Sequence, residues 1–226
     1  MFKKRTSIRK KVLRLDYLHD SFLRMILEKF NPGHDSTLSL CFSSCRQEEG
    51  VSTIVFNMAM ALAQNMSKRV LLIDGNTRRP KLGHWLGVPD GSPGLVDVLK
   101  KEISFEEAVT LDEQGTFAFL PVGQQIKHPI VLFDDLGFDQ FLETARAQYD
   151  IILFDAPALL TGPETTIIAR KLDGFVMIVE AEKTRWEVAA YNKQQLADAG
   201  VVITGAILNK KKMFIPRLIY RLLLAD

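Results

Sequence analysis

Two continuous apolar runs, each closed by an aspartate, constrain this chain more than any other feature: Val70-Leu71-Leu72-Ile73-Asp74 and Ile151-Ile152-Leu153-Phe154-Asp155. A strand that is apolar at every position, rather than at every second one, is buried on both faces, as in a parallel sheet covered by helices on each side. The runs at 37–42, 117–121, 175–180 and 201–209 carry the same signal. Between them, helical spacing or length predicts helices over 53–64, 94–101, 104–111, 135–148, 163–171 and 184–199. The alternation predicts an α/β fold, a doubly wound and mostly parallel central sheet with helices on both faces. In such sheets ligands bind outside the carboxyl ends of the strands, and Asp74 and Asp155 stand at two of those ends.

The 226 residues suit one large domain, and 47% apolar with 25% charged residues is ordinary globular composition, which excludes a disordered tail or a disulfide-stapled miniprotein. No apolar run is long enough to span a bilayer, and the basic start leads into Val12-Leu13-Arg14-Leu15-Asp16 rather than a signal-peptide core, so a soluble, unexported, cytoplasmic protein is expected. Cys41 and Cys45 have neither zinc-site nor disulfide-framework spacing and suit a reducing compartment. His34, His84 and His128 share no ligand spacing and read as structural, while Trp85 and Trp186 read as packed against helices.

The formal charge of +2 is unevenly spread. Seven basic residues, from Lys3 to Arg14, precede the first acid, Asp16, and Lys210-Lys211-Lys212 with Arg217 and Arg221 lie among apolar residues near the C-terminus. The chain therefore divides into a basic arm and amphipathic helix over 1–36, an α/β domain over 37–210 and a basic amphipathic segment over 211–226, suited to an anionic membrane surface or a partner's groove.

Between the first strand and the first helix runs Ser43-Ser44-Cys45-Arg46-Gln47-Glu48-Glu49-Gly50-Val51-Ser52-Thr53, the place of a phosphate-binding loop. A working loop of the G-x-x-x-x-G-K-[ST] type needs glycines so that backbone N–H groups surround phosphate, a lysine to neutralise it and a hydroxyl for magnesium. Gly50, Ser52 and Thr53 keep the tail of that pattern, but the lysine position is Val51 and the first glycine position is Cys45. Glu48 and Glu49 place two carboxylates where phosphate must approach, and Arg46 is the substitute cation within the loop.

Taken in order, these motifs resemble the cytoplasmic bacterial tyrosine kinases of capsule and exopolysaccharide assembly, a branch of the Min/Par-type ATPases with a P-loop NTPase-like fold. Ser44 to Thr53 is similar to the family's S-x-x-P-G-E-G-K-S-T, with Glu48 for glycine and Val51 for lysine. The stretch from Val70 to Pro80 resembles V-L-L-I-D-A-D-x-R-R-P, with Asn76 replacing a second aspartate. Gly94-Leu95-Val96-Asp97-Val98-Leu99 resembles G-L-x-D-V-L, Leu120-Pro121-Val122-Gly123 resembles L-P-x-G, and the line from Tyr149 to Pro157 resembles the Walker B run.

The resemblance implies Mg-ATP as cofactor, with magnesium near Ser52, Asp74 and Asp155, Asp74 and Asp155 as catalytic carboxylates, and Gly50, Ser52, Thr53, Arg46 and Asn209 about the nucleotide. It also implies a subunit-joining E-x-x-R-x-x-R motif, here reduced to Asp20, Leu23 and Ile26, and a C-terminal tyrosine cluster, here Tyr220 alone as phospho-acceptor. These departures favour a pseudokinase acting as the cytoplasmic partner or regulator of a membrane polysaccharide co-polymerase, or of a related kinase, peripheral at the inner membrane face. An active tyrosine autokinase and a Min/Par-type membrane-positioning ATPase are the alternatives. An oligomer is compatible with any of these readings, and none of them involves nucleic acid.

Overall fold

The computed structural model describes residues 37–66, 68–112, 116–126 and 128–211. The basic arm, the expected N-terminal helix with Asp20, Leu23 and Ile26, His34, and the segment from 212 onward with Tyr220 lie outside the described residues.

Among the described residues seven strands form one sheet: β1 (Leu38–Ser44), β2 (Val70–Asp74), β3 (Thr110–Leu111), β4 (Ala118–Leu120), β5 (Ile151–Asp155), β6 (Gly174–Glu180) and β7 (Ile203–Asn209). Their order is β3-β4-β2-β5-β1-β6-β7, parallel throughout except where β3 pairs antiparallel with β4. The doubly wound sheet is as expected. Successive side chains of a strand point to opposite faces, and here both faces are apolar. Leu38, Leu40 and Phe42 of β1 pack with Ile54, Val55, Met58 and Leu62 of helix α1 (Val51–Met66). Cys41, with Ile152 and Phe154 of β5, belongs to the opposite cluster.

That second cluster is roofed by α3 (Leu95–Leu99), α4 (Phe105–Ala108), α5 (Pro129–Asp134), α6 (Leu136–Gln148), α7 (Glu164–Arg170) and α8 (Trp186–Asp198), while the short α2 (Leu82–Trp85) contributes Leu82 to the first. Among the described residues no helix is long and apolar enough to cross a membrane.

Several boundaries differ from the sequence reading. Strand β1 continues through Ser43 and Ser44, where a turn is expected, because both pair with β6 and each hydroxyl finds a carbonyl, Ser43 that of Pro157 and Ser44 that of Arg46. Helix α1 begins at Val51 rather than at 53. The single helix expected over 104–111 is α4 followed by β3: the Ser104 hydroxyl accepts from the Glu107 amide, whose carboxylate accepts in return from the Ser104 amide, and the chain then joins the sheet edge. Helix α5, which periodicity does not announce, opens with Pro129 at its first position, where a missing N–H costs nothing. Trp186, expected to be packed, is 75% exposed at the start of α8, whereas Trp85 is half-buried against the α1 side.

One departure from the family-like motifs has a packing cause. The alanine position of the V-L-L-I-D-A-D run is Gly75, and a Cβ there would lie 1.8 Å from the Phe154 ring. That ring is fully buried and meets Phe133 and Phe138 edge-on at 6.4 and 6.1 Å, so it cannot move aside cheaply. Gly75→Ala should therefore destabilise the domain by about 1–3 kcal/mol, the usual cost of overpacking a filled core. Chemical denaturation of the single variant and of a Gly75→Ala, Phe154→Leu pair checks this: the pair should recover much of the loss, and independent, additive losses would refute the account.

Candidate functional site

The carboxyl ends of β1, β2 and β5 open onto a cavity of about 290 Å³. Its floor is the loop from Ser44 to Gly50 and the first turn of α1. Ile54 donates to the Gly50 carbonyl, so the amides of Val51, Ser52 and Thr53 precede the first helical bond and have no carbonyl partner within the helix. A 16-residue helix also presents the positive end of its dipole here. Gly50 sits at φ 97°, and a Cβ on it would lie 2.2 Å from Asn209 Nδ2, so glycine is required on both counts.

The loop is held from behind by the ends of β6 and β7. Asn209 Nδ2 donates to the Glu49 carbonyl at 2.7 Å, and Lys210 Nζ donates to the Glu48 carbonyl at 2.6 Å. The Glu49 side chain is 2% exposed, where the Thr184 hydroxyl donates to Oε1 and the Arg46 amide to Oε2 at 3.2 Å. This corrects the expectation that two glutamates face the phosphate position: Glu49 is turned inward, and only Glu48 lines the cavity. Glu48 itself stands at φ 68°, the left-handed region, where the resemblance has glycine; an ordinary side chain there costs about 1–2 kcal/mol. Its carboxylate pairs with Arg79 at 3.7 Å.

Asp155 ends β5 at the cavity wall, 1% exposed, and neither carboxylate oxygen makes a well-formed hydrogen bond, although the Ser52 hydroxyl is close enough to favour the charged form. Burial first, and then the neighbouring charge of Asp74, push its carboxyl well above the usual range, partly offset by the Ser52 hydroxyl and Lys81. Asp74 is its register partner on β2, lies behind the cavity rather than on its wall, and accepts from the amides of Asn76 at 3.2 Å and Leu82 at 3.1 Å. Burial pushes Asp74 up to about 7 despite those amides. Asp155, buried on the cavity wall without a hydrogen-bond partner and with Ser52 lining the same cavity, offers the hard-oxygen chemistry that a divalent cation takes, and Asp74 stands behind it as its register partner.

Of the residues singled out in the sequence, Gly50, Ser52, Thr53 and Asp155 line the cavity together. Arg46 is exposed away from it, and Asn209 is spent on the loop backbone. Cys45, at the would-be first glycine, is buried beside Met177, and burial pushes its thiol up to about 11, which leaves it inert.

The cations of the site come from elsewhere: Arg78, Arg79 and Lys81 from the segment after β2, and Lys210 from beyond β7. Arg78 Nε is paired with the fully buried Glu164, which fixes it at the rim. Lys210 is the residue that sequence reasoning leaves in a terminal basic cluster; its place one residue past a strand that ends at the ligand side was the available signal.

Comparisons with known proteins agree with this geometry. The chain is 33% identical over 175 residues to the tyrosine-protein kinase YwqD of Bacillus subtilis, covering 77% of this chain and 73% of that protein. The crystal structure of the VpsO kinase domain superposes with a TM-score of 0.78 at 28% identity, over 86% of this chain and 94% of that one. MinD of Pyrococcus horikoshii, solved in complex with Mg-ADP, shares the fold at a TM-score of 0.65 and 24% identity, over 82% of this chain and 76% of that one. No family model matches the chain.

Proposed function

Because the chain belongs to the family of bacterial tyrosine-protein kinases, we propose that it is a catalytically impaired member that keeps a Mg-nucleotide site and works by contact. The setting would be capsule or exopolysaccharide assembly, with the protein peripheral at the cytoplasmic membrane face as partner of a membrane polysaccharide co-polymerase. The observation that carries this reading is Val51. It opens α1, is packed into the apolar cluster under the sheet and puts an aliphatic side chain where the phosphate-neutralising lysine is needed. Asn76 at the cavity wall, where the resembling motif has a second aspartate, supports it further.

Ser52, Asp74 and Asp155 are the residues that would hold magnesium, and the unpartnered oxygens of Asp155 support that fit. Bound there, the ion would neutralise charge on the nucleotide phosphates. The amides that open α1 would cradle the phosphates, and the rim of Arg78, Arg79, Lys81 and Lys210 would hold them against solvent. That rim of cations also favours the second reading, an active autokinase with Tyr220 as acceptor.

One assay separates the two. The purified full chain is incubated with γ-labelled Mg-ATP, with and without the cytoplasmic segments of a co-polymerase. Stable association with those segments and no label on protein is the expected result. Label that disappears in Tyr220→Phe would replace the impaired reading with the active one.

A further inference from the structure

We propose that Lys210 is the phosphate-binding cation of this cavity, supplied from the end of the sheet in place of the lysine that the loop lacks. The inference rests on the nucleotide reading of the cavity. Lys210 lines the same cavity as Gly50, Ser52 and Thr53, although 157 positions separate it from Thr53. The chain passes into the left-handed region at Lys210, φ 56°, and the side chain lies back over the loop, so that its ammonium reaches the Glu48 carbonyl at 2.6 Å and Glu180 Oε2 at 3.2 Å. An ammonium has three donors. Two are committed, which fixes the charge at the loop, and the third remains for a ligand.

The other rim cations are differently placed. Arg78 is bound to buried Glu164, and Arg79 pairs with the Glu48 carboxylate. Lys81 directly precedes Leu82, whose amide donates to Asp74, and so stands on the carboxylate side of the cavity. Lys210 alone among them is bonded to the backbone of the loop itself. The loop geometry around it is built: Asn209, its neighbour, anchors the Glu49 carbonyl, and the Asn209 carbonyl accepts from Ala181 at 2.9 Å, so the β7 end that carries Lys210 is tied to both the loop and β6. A second observation that the cavity awaits a charged ligand is independent of the lysine: the buried carboxylate of Asp155 on the cavity wall, whose oxygens have no hydrogen-bond partner.

The test is calorimetric titration of the full chain with Mg-ADP, with inorganic pyrophosphate and with adenosine, which lacks phosphate. Lys210→Met should weaken Mg-ADP and pyrophosphate by about tenfold or more, the scale of one charge-assisted contact, and leave adenosine unchanged. Lys210→Arg should keep most of the affinity, and Val51→Lys introduced into Lys210→Met should restore it. Lys183→Met is the control, because Lys183 shares the Glu180 carboxylate at 3.2 Å but does not line the cavity; it should leave binding unchanged.

Equal affinity in Lys210→Met and the native chain would overturn the assignment. So would a native chain that binds no nucleotide while Val51→Lys binds it, a result that leaves the nucleotide reading of the cavity standing. No binding even by Val51→Lys would overturn both.

Discussion

A Val51→Lys, Glu48→Gly double variant should bind Mg-ATP at least about tenfold more tightly than the native chain and should show phosphate transfer, which the proposed reading denies to the native chain. The reasons are local. A charge-assisted contact to phosphate is worth about 1.5–3 kcal/mol, or one to two decades of affinity. Val51 stands at the first position of α1 on the cavity wall, where a lysine stem can lie along the apolar cluster and still deliver its charge to the opening. Glycine at 48 removes a carboxylate from the cavity and relieves a left-handed backbone, at the loss of an exposed pair with Arg79 that contributes little. Calorimetry and a γ-phosphate transfer assay measure the two gains separately. Tighter binding without transfer would locate the remaining defect at Asn76, and unchanged binding would show that Val51 is not what limits the site.

Thermal stability should fall as pH rises from about 4 to beyond 7, and magnesium should blunt the fall. The sign follows from the buried carboxyl pair. Asp74 is pushed up to about 7 and Asp155 also rises well above the usual range, both chiefly by burial. Between the unfolded carboxyl range near 3.9 and those raised values the folded chain holds more protons than the unfolded one, so unfolding becomes easier with each step up in pH. One extra proton held gives a slope of at most about 1.4 kcal/mol per pH unit. The loss starts near the unfolded value and is complete only above the folded ones. Asp155→Asn, which removes the unpartnered charge, should flatten the profile and raise the melting temperature at pH 8. A profile that is flat in the native chain, or unchanged by Asp155→Asn, would mean that the pair is ionised without cost and the account of the site is wrong.

Much of this site was legible in the sequence because strand burial and strand end are local signals. Apolar runs closed by Asp74 and Asp155 placed two carboxylates at the ligand side of a parallel sheet, and they are register partners on adjacent strands. Gly50, Ser52 and Thr53 were placed at the loop by the same logic and line the cavity. What escaped was whatever depends on the far end of the chain. The turn that takes Glu49 inward is set by Thr184, and the cation at the loop arrives from Lys210; neither pairing has a spacing to read. Pro129 and the capping box at Ser104 were stated in the residues, but a six-residue helix and a four-residue helix are too short for periodicity to declare them. Gly75 reads as a lapse from alanine until Phe154 is seen beside it.

The loop is fastened at three places, through Thr184, Asn209 and Lys210, before any ligand arrives. Nucleotide entering such a loop finds the shape it would otherwise have to induce, and a ligand that meets only one conformation shifts no equilibrium. Loaded and unloaded chains would then differ little in the shape of this loop. Under the proposed reading, a partner docking beside this loop would sense that the protein is present rather than whether nucleotide is bound.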